Sequence, residues 1–330
     1  MPPRRATIKD VAAAAGVGVA TVSRVLSGTG SASPETRERV LAAAARLDYR
    51  PSALGRSLKL GRSGGLGLLV PGLANTFYGQ LADGVLACAR SMGEHVVVGA
   101  TGDDPEREAS LLGSLVEQGV ERVVAVPSGD GLGENWEPAL RAGLRVVFAG
   151  RPGPGSAPSV LTDDRAGVQA AVDYLGGLGH RSIGFLGGPA TARERLFRDA
   201  LAAIRMPADE ELIVAARATR DSAYAAAASL FQRRPDVTAV LAADNTLGEA
   251  AVLAARELDL RIPRDVSVIM FDDVPWAELC GPPLTVVAQP AHDLGYRAAE
   301  LALRDRPGPD RTLLPTELIV RNSCAPRTPR

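Results

Sequence analysis

Apolar positions recur with helical spacing from the start of the chain. Ile8, Val11, Ala12 and Ala15 fall at i, i+3, i+4 and i+7, so one stripe faces inward. Thr7 precedes them as an N-cap, and Asp10 three residues later gives a weak form of the capping box. Gly16 permits a sharp turn. A second helix is predicted from near Gly18, with Val22, Val25 and Leu26 turned inward. At about 100° per residue, Ala20, Thr21, Ser23 and Arg24 point the other way, and Val19 sits at the border. Ser33-Pro34-Glu35 reads as the start of a third helix, with Ser as cap and Pro in the first turn. Its apolar face is expected to be Val40, Leu41, Ala44 and Leu47. Three short helices would then share one small core.

From residue 66 the pattern changes to short apolar runs alternating with helical stretches. Strands are predicted over 66–70, 95–100, 122–126 and 145–149, with helices over 79–92, over 105–118 and around Pro138. The Pro- and Gly-rich stretch 150–159 reads as a loop leading to a second lobe. There the scheme repeats: helix 165–178, strand 182–186, helix 191–204, strand 212–215, helix 222–233, strand 239–242, helix 247–258, strand 267–271. A strand at 284–287, a helix over 291–303 and a last strand over 316–320 complete it. Apolar strands separated by helices mean parallel sheets covered on both faces. The fold class expected is an N-terminal all-α helix-turn-helix head plus an α/β core of two doubly wound lobes.

The outward face of the second helix suits the DNA major groove. An Arg grips guanine O6 and N7, an Ala packs on thymine methyls, and hydroxyls bond phosphates. An ordinary alanine-rich helical hairpin shows the same pattern, and charge separates the two readings. Residues 1–62 carry eleven Lys/Arg and four Asp/Glu, about +7, while the remainder carries 26 and 34, about −8. A basic head on an acidic body confines polyanion contact to the head.

Three runs then agree in order and spacing: Ala6-Thr7-Ile8-Lys9-Asp10-Val11-Ala12, Ala20-Thr21-Val22-Ser23-Arg24-Val25-Leu26, and Tyr49-Arg50-Pro51-Ser52-Ala53-Leu54-Gly55-Arg56-Ser57-Leu58-Lys59. Together they resemble the lactose/galactose repressor family of bacterial transcription regulators, and the resemblance continues through most of the chain. It implies a periplasmic-binding-protein-like core and a hinge helix that folds when two copies meet in the DNA minor groove, with Leu58 wedging between base pairs. Without the resemblance, residues 51–63 would read as a linker. The DNA-contacting set expected is Thr7, Val19, Ala20, Thr21, Ser23, Arg24, Tyr49, Ala53, Leu58 and Lys59. The domain division expected is head 1–50, hinge 51–63, lobe 1 over 64–161 with 291–316, and lobe 2 over 162–290 with 317–330. The two chain crossings that this division needs are implied by the resemblance.

Ligands of open α/β sheets bind beyond the carboxyl ends of strands. That rule, joined to the resemblance, selects Asn75, Phe77 and Tyr78 after the first strand, Arg195 after the Gly187-Gly188-Pro189 turn, and Asp244 after strand 239–242. Asp272 and Trp276 follow strand 267–271, and Gln289 follows strand 284–287. Acids, an Arg and amides match sugar hydroxyls, and Trp276 and Phe77 offer faces for apolar CH groups. The family carries an Asn-Asp pair in either order where this chain has Asp244-Asn245. The chain departs from the family elsewhere. Gly150 replaces a frequent Asp, Ala218 stands where some members place an aromatic, and Gly18 replaces a frequent Ser cap. The segment Arg195-Leu196-Phe197-Arg198 is two residues short, which bears on where Arg195 sits.

The function expected is a DNA-binding transcriptional regulator, a repressor, that binds a pseudo-palindromic operator as a homodimer or higher oligomer. A small polar effector, a sugar, controls it. A purine or nucleoside effector is the alternative, and a free solute-binding protein is a third reading that the basic head opposes. Catalysis has little support: His95, His180 and His292 are scattered, and there is no nucleophile elbow or HExxH. Cys88, Cys280 and Cys324 are far apart and form no CxxC pair, so no metal, cofactor or disulfide framework is expected. Met1-Pro2-Pro3-Arg4-Arg5 lacks the apolar run of a secretory signal and no stretch has the length to span a bilayer, so a cytoplasmic protein is expected.

Overall fold

The computed structural model describes residues 6–27, 32–49, 65–129, 136–188, 192–217, 219–304 and 311–327. Two compact units divide the chain, Met1–Gly64 and Gly65–Arg330. The hinge positions Ala53, Leu58 and Lys59, and Ala218, lie outside the described residues.

In the first unit α1 (Ile8–Ala15), α2 (Val19–Ser27) and α3 (Pro34–Arg46) pack together. Thr7 and Asp10 form the full capping box: the Thr7 hydroxyl accepts from Asp10 N, and Thr7 N donates to Asp10 Oδ2 at 2.7 Å. Gly16 ends α1 at φ 65, and Val17 N then reaches back to Ala12 O at 3.1 Å. Gly18 O accepts from Thr21 N and Val22 N, so Gly18 starts α2. Ser33 caps α3 through Thr36 N. The core is Val11, Ala12, Ala15, Val22, Val25, Val40, Ala43 and Ala44. Leu41 is a correction: it is 48% exposed, and Ala43 takes the buried place expected of it. The reason is angular, because Val40, Ala43, Ala44 and Leu47 make the i, i+3, i+4, i+7 set and Leu41 falls outside it.

The second unit contains β1 (Leu66–Val70), α4 (Thr76–Ser91), β2 (Val96–Ala100), α5 (Pro105–Glu117), β3 (Arg122–Ala125), α6 (Trp136–Arg141), β4 (Arg145–Ala149) and β5 (Ser159–Thr162). After these come α7 (Asp164–Gly177), β6 (Ile183–Gly187), α8 (Ala192–Ala203), β7 (Ile213–Ala215), α9 (Arg220–Arg233), β8 (Ala239–Ala242) and α10 (Asn245–Glu257). The remainder is β9 (Ser267–Phe271), α11 (Pro275–Leu279), β10 (Thr285–Ala288), α12 (Ala291–Leu303), β11 (Arg311–Leu314) and β12 (Glu317–Ile319). One sheet runs β2-β1-β3-β4-β5-β11, all parallel; the other runs β7-β6-β8-β9-β10-β12, parallel except for β12. Strands β1, β6, β8 and β9, buried throughout, are apolar runs of the sequence, and β5 is buried throughout as well with Ser and Thr at its ends.

The chain passes between sheets after β5, after β10 and between β11 and β12. Two expectations change here. The stretch 150–159 does not lead straight to the second lobe; it turns back and adds β5 to the first sheet. β11, with its alternating half-exposed pattern, also joins that sheet. The segment 275–279 adds the single turn α11, begun by Pro275. Helices α4 and α12 cross so closely that a Cβ on Gly84 would collide with His292 O, and one on Gly295 with Leu81 O.

Candidate functional site

On the first unit, α2 presents Val19 (42% exposed), Ala20 and Arg24 outward, with Thr21 and Ser23 half-buried at the flanks of that face. Val22 and Val25 anchor the opposite face in the core. Arg24 Nε bonds Ala20 O one turn back, which lays the guanidinium along the exposed surface. Thr7 is exposed at the α1 terminus beside its cap partner. Tyr49 packs against the head core.

In the second unit the strand orders reverse between β1 and β3 and between β6 and β8, and ligands of open α/β sheets bind outside the carboxyl ends of strands at such switch points. The loops after β1, β6 and β8 meet in one polar network. Asn75 caps α4: its Oδ1 accepts from Phe77 N at 2.9 Å. The same oxygen accepts from Asn245 Nδ2 at 3.0 Å, and Asn75 Nδ2 donates to the Thr246 hydroxyl at 3.3 Å. These bonds join the two lobes directly. Asn245 also donates to Asp272 Oδ2 from Nδ2 at 2.8 Å and from its backbone N at 3.2 Å, and Gln289 Nε2 donates to Asp272 Oδ1.

Asp272 is 5% exposed and has φ 74, a left-handed conformation uncommon outside Gly and retained where surroundings over-determine it. Burial raises its pKa, opposed by Arg193 and by the bonds from Asn245 and Gln289. Arg193 is the hub of the second lobe. It grips Asp164 with Nε at 2.8 Å and Nη2 at 3.1 Å, donates to Gln289 Oε1 at 2.8 Å and to Ala243 O, and lies 4.0 Å over the Phe271 ring. Burial opposes its charge, but Asp164, Asp272 and Asp244 outweigh it and hold the guanidinium above its ordinary range. Thr162 places its hydroxyl 2.9 Å from both Asp164 Oδ1 and Gln289 Oε1.

The first lobe contributes a second cation. Arg151, directly after β4, pairs with Asp103 Oδ1 at 2.6 Å, donates to Pro127 O at 3.0 Å and reaches the Tyr78 hydroxyl at 3.4 Å. Burial pushes the Tyr78 phenol up, with Arg151 opposing and Asp244 adding to the rise. Glu108 is buried beneath this corner and accepts Ser128 N at 2.6 Å, fixing the turn after β3.

The site residues predicted from sequence divide clearly. Asn75, Asp272 and Gln289 are in the network, and Tyr78 and Asp244 border it. Arg195 is exposed on α8, and Arg193 occupies the place expected of it. The cause is helical phase: Arg193 stands one turn before the fully buried Phe197, whereas Arg195 is rotated about 200° from Arg193. That spacing was the available signal. Phe77 is 9% exposed and built into the first-lobe core, edge-on to Tyr78 at 5.3 Å, so it offers no open face. Trp276 is half-buried and packs on the second-lobe core. Asp273 is taken up by Arg321 in a two-bond pair at 2.8 and 2.9 Å. Sequence reasoning left out Arg193, Asp164 and Arg151. Asp164 follows β5, a strand that the sequence pattern does not predict, and Arg151 lies within the Pro- and Gly-rich stretch 150–159.

Both parts of the chain match known proteins. The profile of bacterial regulatory proteins of the lacI family matches residues 7–52, and that of the periplasmic binding protein-like domain matches residues 172–324. The HTH-type transcriptional regulator DegA of Bacillus subtilis (strain 168) is 32% identical over 335 residues, covering 98% of this chain and 99% of that protein. Among solved structures, the transcriptional regulator CelR–cellobiose complex is 33% identical with a TM-score of 0.69, covering 97% of this chain and 100% of that one. The Lac repressor dimer bound to operator and the anti-inducer ONPF is 25% identical with a TM-score of 0.84, covering 98% and 100%.

Proposed function

The chain belongs to the lacI family of bacterial regulatory proteins and is a transcriptional regulator with a helix-turn-helix DNA-binding domain; from that premise we propose that it represses from a pseudo-palindromic operator as a homodimer, released or tightened by a small polar effector between its lobes. The observation that carries this reading is the direct bonding of Asn75 to Asn245 and Thr246. Polar groups from both lobes converge there at the carboxyl ends of the strands, so a ligand entering between them changes how the lobes meet.

The effector favoured is a sugar. The amides, hydroxyls and paired acids of the network supply donors and acceptors together, and a structural relative holds cellobiose. A nucleoside remains the second reading, because Tyr78 provides an aromatic edge at the same corner. The reading gives the cleft a binding role, with Arg193 replacing Arg195 among the contacts.

Dimerisation is supported by apolar side chains exposed on and beside the edge strand of the first lobe. Val97 and Val98 of the edge strand β2 are each 39% exposed, Leu86 is 38% and Met92 50% exposed, and Leu86 and Val96 line one groove. A second copy of the chain is the occupant proposed for this edge, since one head offers too few base contacts for specific affinity. No helix among the described residues is long and apolar enough to cross a membrane, and a DNA partner favours a cytoplasmic protein. The test is a titration of operator duplex against full-length protein with size measured alongside. Two chains per full site are expected; one chain per full site overturns the dimer.

A further inference from the structure

The order of the Asp244-Asn245 pair decides which side chain enters the network and which faces the opposite lobe. Asn245 is buried and spends its amide on Asp272 and Asn75. Asp244 takes the cap of α10, where its Oδ1 accepts from Leu247 N at 2.8 Å. It is only partly buried, and its charge acts on Tyr78 and Arg151 of the first lobe as well as on Asp272 and Arg193 of the second. Asp244 therefore stands where the lobes face each other.

The charge balance at this point is acidic. Arg193 is bound in two bonds to Asp164, and Arg151 is bound to Asp103, so each guanidinium has its own carboxylate. Two carboxylates remain, Asp272 and Asp244. Asp272 is held by uncharged amides. Asp244 is held by a backbone N–H, and among the described residues no cation hydrogen-bonds to either. Burial, and then the neighbouring Asp272, push Asp244 up to about 6, so it is still ionised at pH 7.5.

Resting on the reading of this cleft as the effector site, we propose that its effector is uncharged or carries an amine, and that Asp244 is the specificity residue that turns away phosphorylated and carboxylated forms of the same ligand. An added negative charge within about 5 Å of this carboxylate weakens binding roughly 10- to 100-fold once solvent screening is counted. The inverted order Asn-Asp would place a neutral amide at the cap and lose this discrimination. Asn caps a helix about as well as Asp, so Asp244→Asn removes the charge and leaves the start of α10 intact.

The test uses full-length protein at pH 7.5 and matched pairs: ribose and ribose 5-phosphate, glucose and glucose 6-phosphate, adenosine and adenosine monophosphate, with glucosamine as the amine. Thermal shift finds the binding pair and calorimetry measures both members on wild type and Asp244→Asn. The parent is expected to bind at least 10-fold tighter than its phosphate, and Asp244→Asn to narrow that gap roughly 10-fold. A phosphate that binds wild type as tightly as its parent overturns the inference. A gap unchanged in Asp244→Asn also overturns it, because size and not charge then excludes the phosphate. If no member of any pair or the amine shifts the melting temperature, the effector reading itself fails and the inference falls with it, an outcome distinct from a bound parent with no charge discrimination.

Discussion

Replacing Arg193 with Ala separates the structural assignment from the one that sequence alone suggested. Arg193 ties together α8, the start of α7, the end of β8 and the loop after β10 through Asp164, Ala243 O and Gln289. Its removal leaves the Asp164 carboxylate without its cation and the carbonyl of Ala243 without that donor. Breaking a fully buried pair costs about 3–5 kcal/mol. Here the two side chains keep 18% and 21% exposure, so water softens the loss to about 2–3 kcal/mol. Arg195→Ala, on the exposed face of the same helix, should change stability by no more than about 0.5 kcal/mol. Arg193→Lys keeps a charge but not the two-bond fork, so it should fall between the two. Urea unfolding of the full-length protein, followed by the fluorescence of Trp136 and Trp276, reads the second unit selectively. Effector affinity measured on the same proteins should fall with Arg193→Ala and hold with Arg195→Ala. Equal losses for the two Ala variants, or a negligible loss for Arg193→Ala, would refute the argument.

Gly84→Ala puts a methyl against the His292 carbonyl and must force α4 from α12, so a loss of about 3 kcal/mol or more is expected by urea unfolding; Gly113→Ala, with open space around it, should be benign. Arg24→Ala should weaken operator binding by about 1–3 kcal/mol and relax preference at one base pair, while Lys59→Ala weakens all sequences alike, as read by competitive titration with single-base variants. The raised pKa of Asp244 gives a pH dependence of known sign. The native state binds this proton more readily than the unfolded chain, so the cost of the carboxylate is present above about pH 6 and disappears as pH falls towards 4. Wild type should therefore gain about 1 kcal/mol relative to Asp244→Asn between pH 7.5 and 5, and a parallel pH profile for the two proteins would contradict the assignment.

The head was legible because its signals are local. The Thr7–Asp10 box, the Gly16 turn and the Ser33-Pro34 start each act within four residues, and the structure shows all three. Leu41 is apolar but lies off the buried face of its helix, so hydrophobicity without helical angle does not place it. Strands β1, β6, β8 and β9 were legible from continuous apolar runs, whereas β5 is buried but has Ser and Thr at its ends, and β11 alternates exposed and half-buried positions and pairs with β5 far back in the chain. In the cleft, position after a strand identified Asn75, Asp272 and Gln289. It did not distinguish Arg193 from Arg195, since a loop length is harder to judge than a helical phase. Nor did it show that Asp273 is taken by Arg321, a partner 48 residues away.

In the function proposed above, a ligand held by the Asn75–Asp272–Gln289 network controls the head's grip on DNA. It is tested most directly by fluorescence anisotropy on full-length protein, using a duplex selected from a random pool. Operator affinity is measured with and without the sugar that most raises the melting temperature, in wild type and in Asp272→Ala. The sugar is expected to change wild-type operator affinity about 5- to 150-fold, a coupling of about 1–3 kcal/mol, and Asp272→Ala to abolish the change while operator binding itself persists. Identical operator affinity with and without a saturating bound sugar would contradict it.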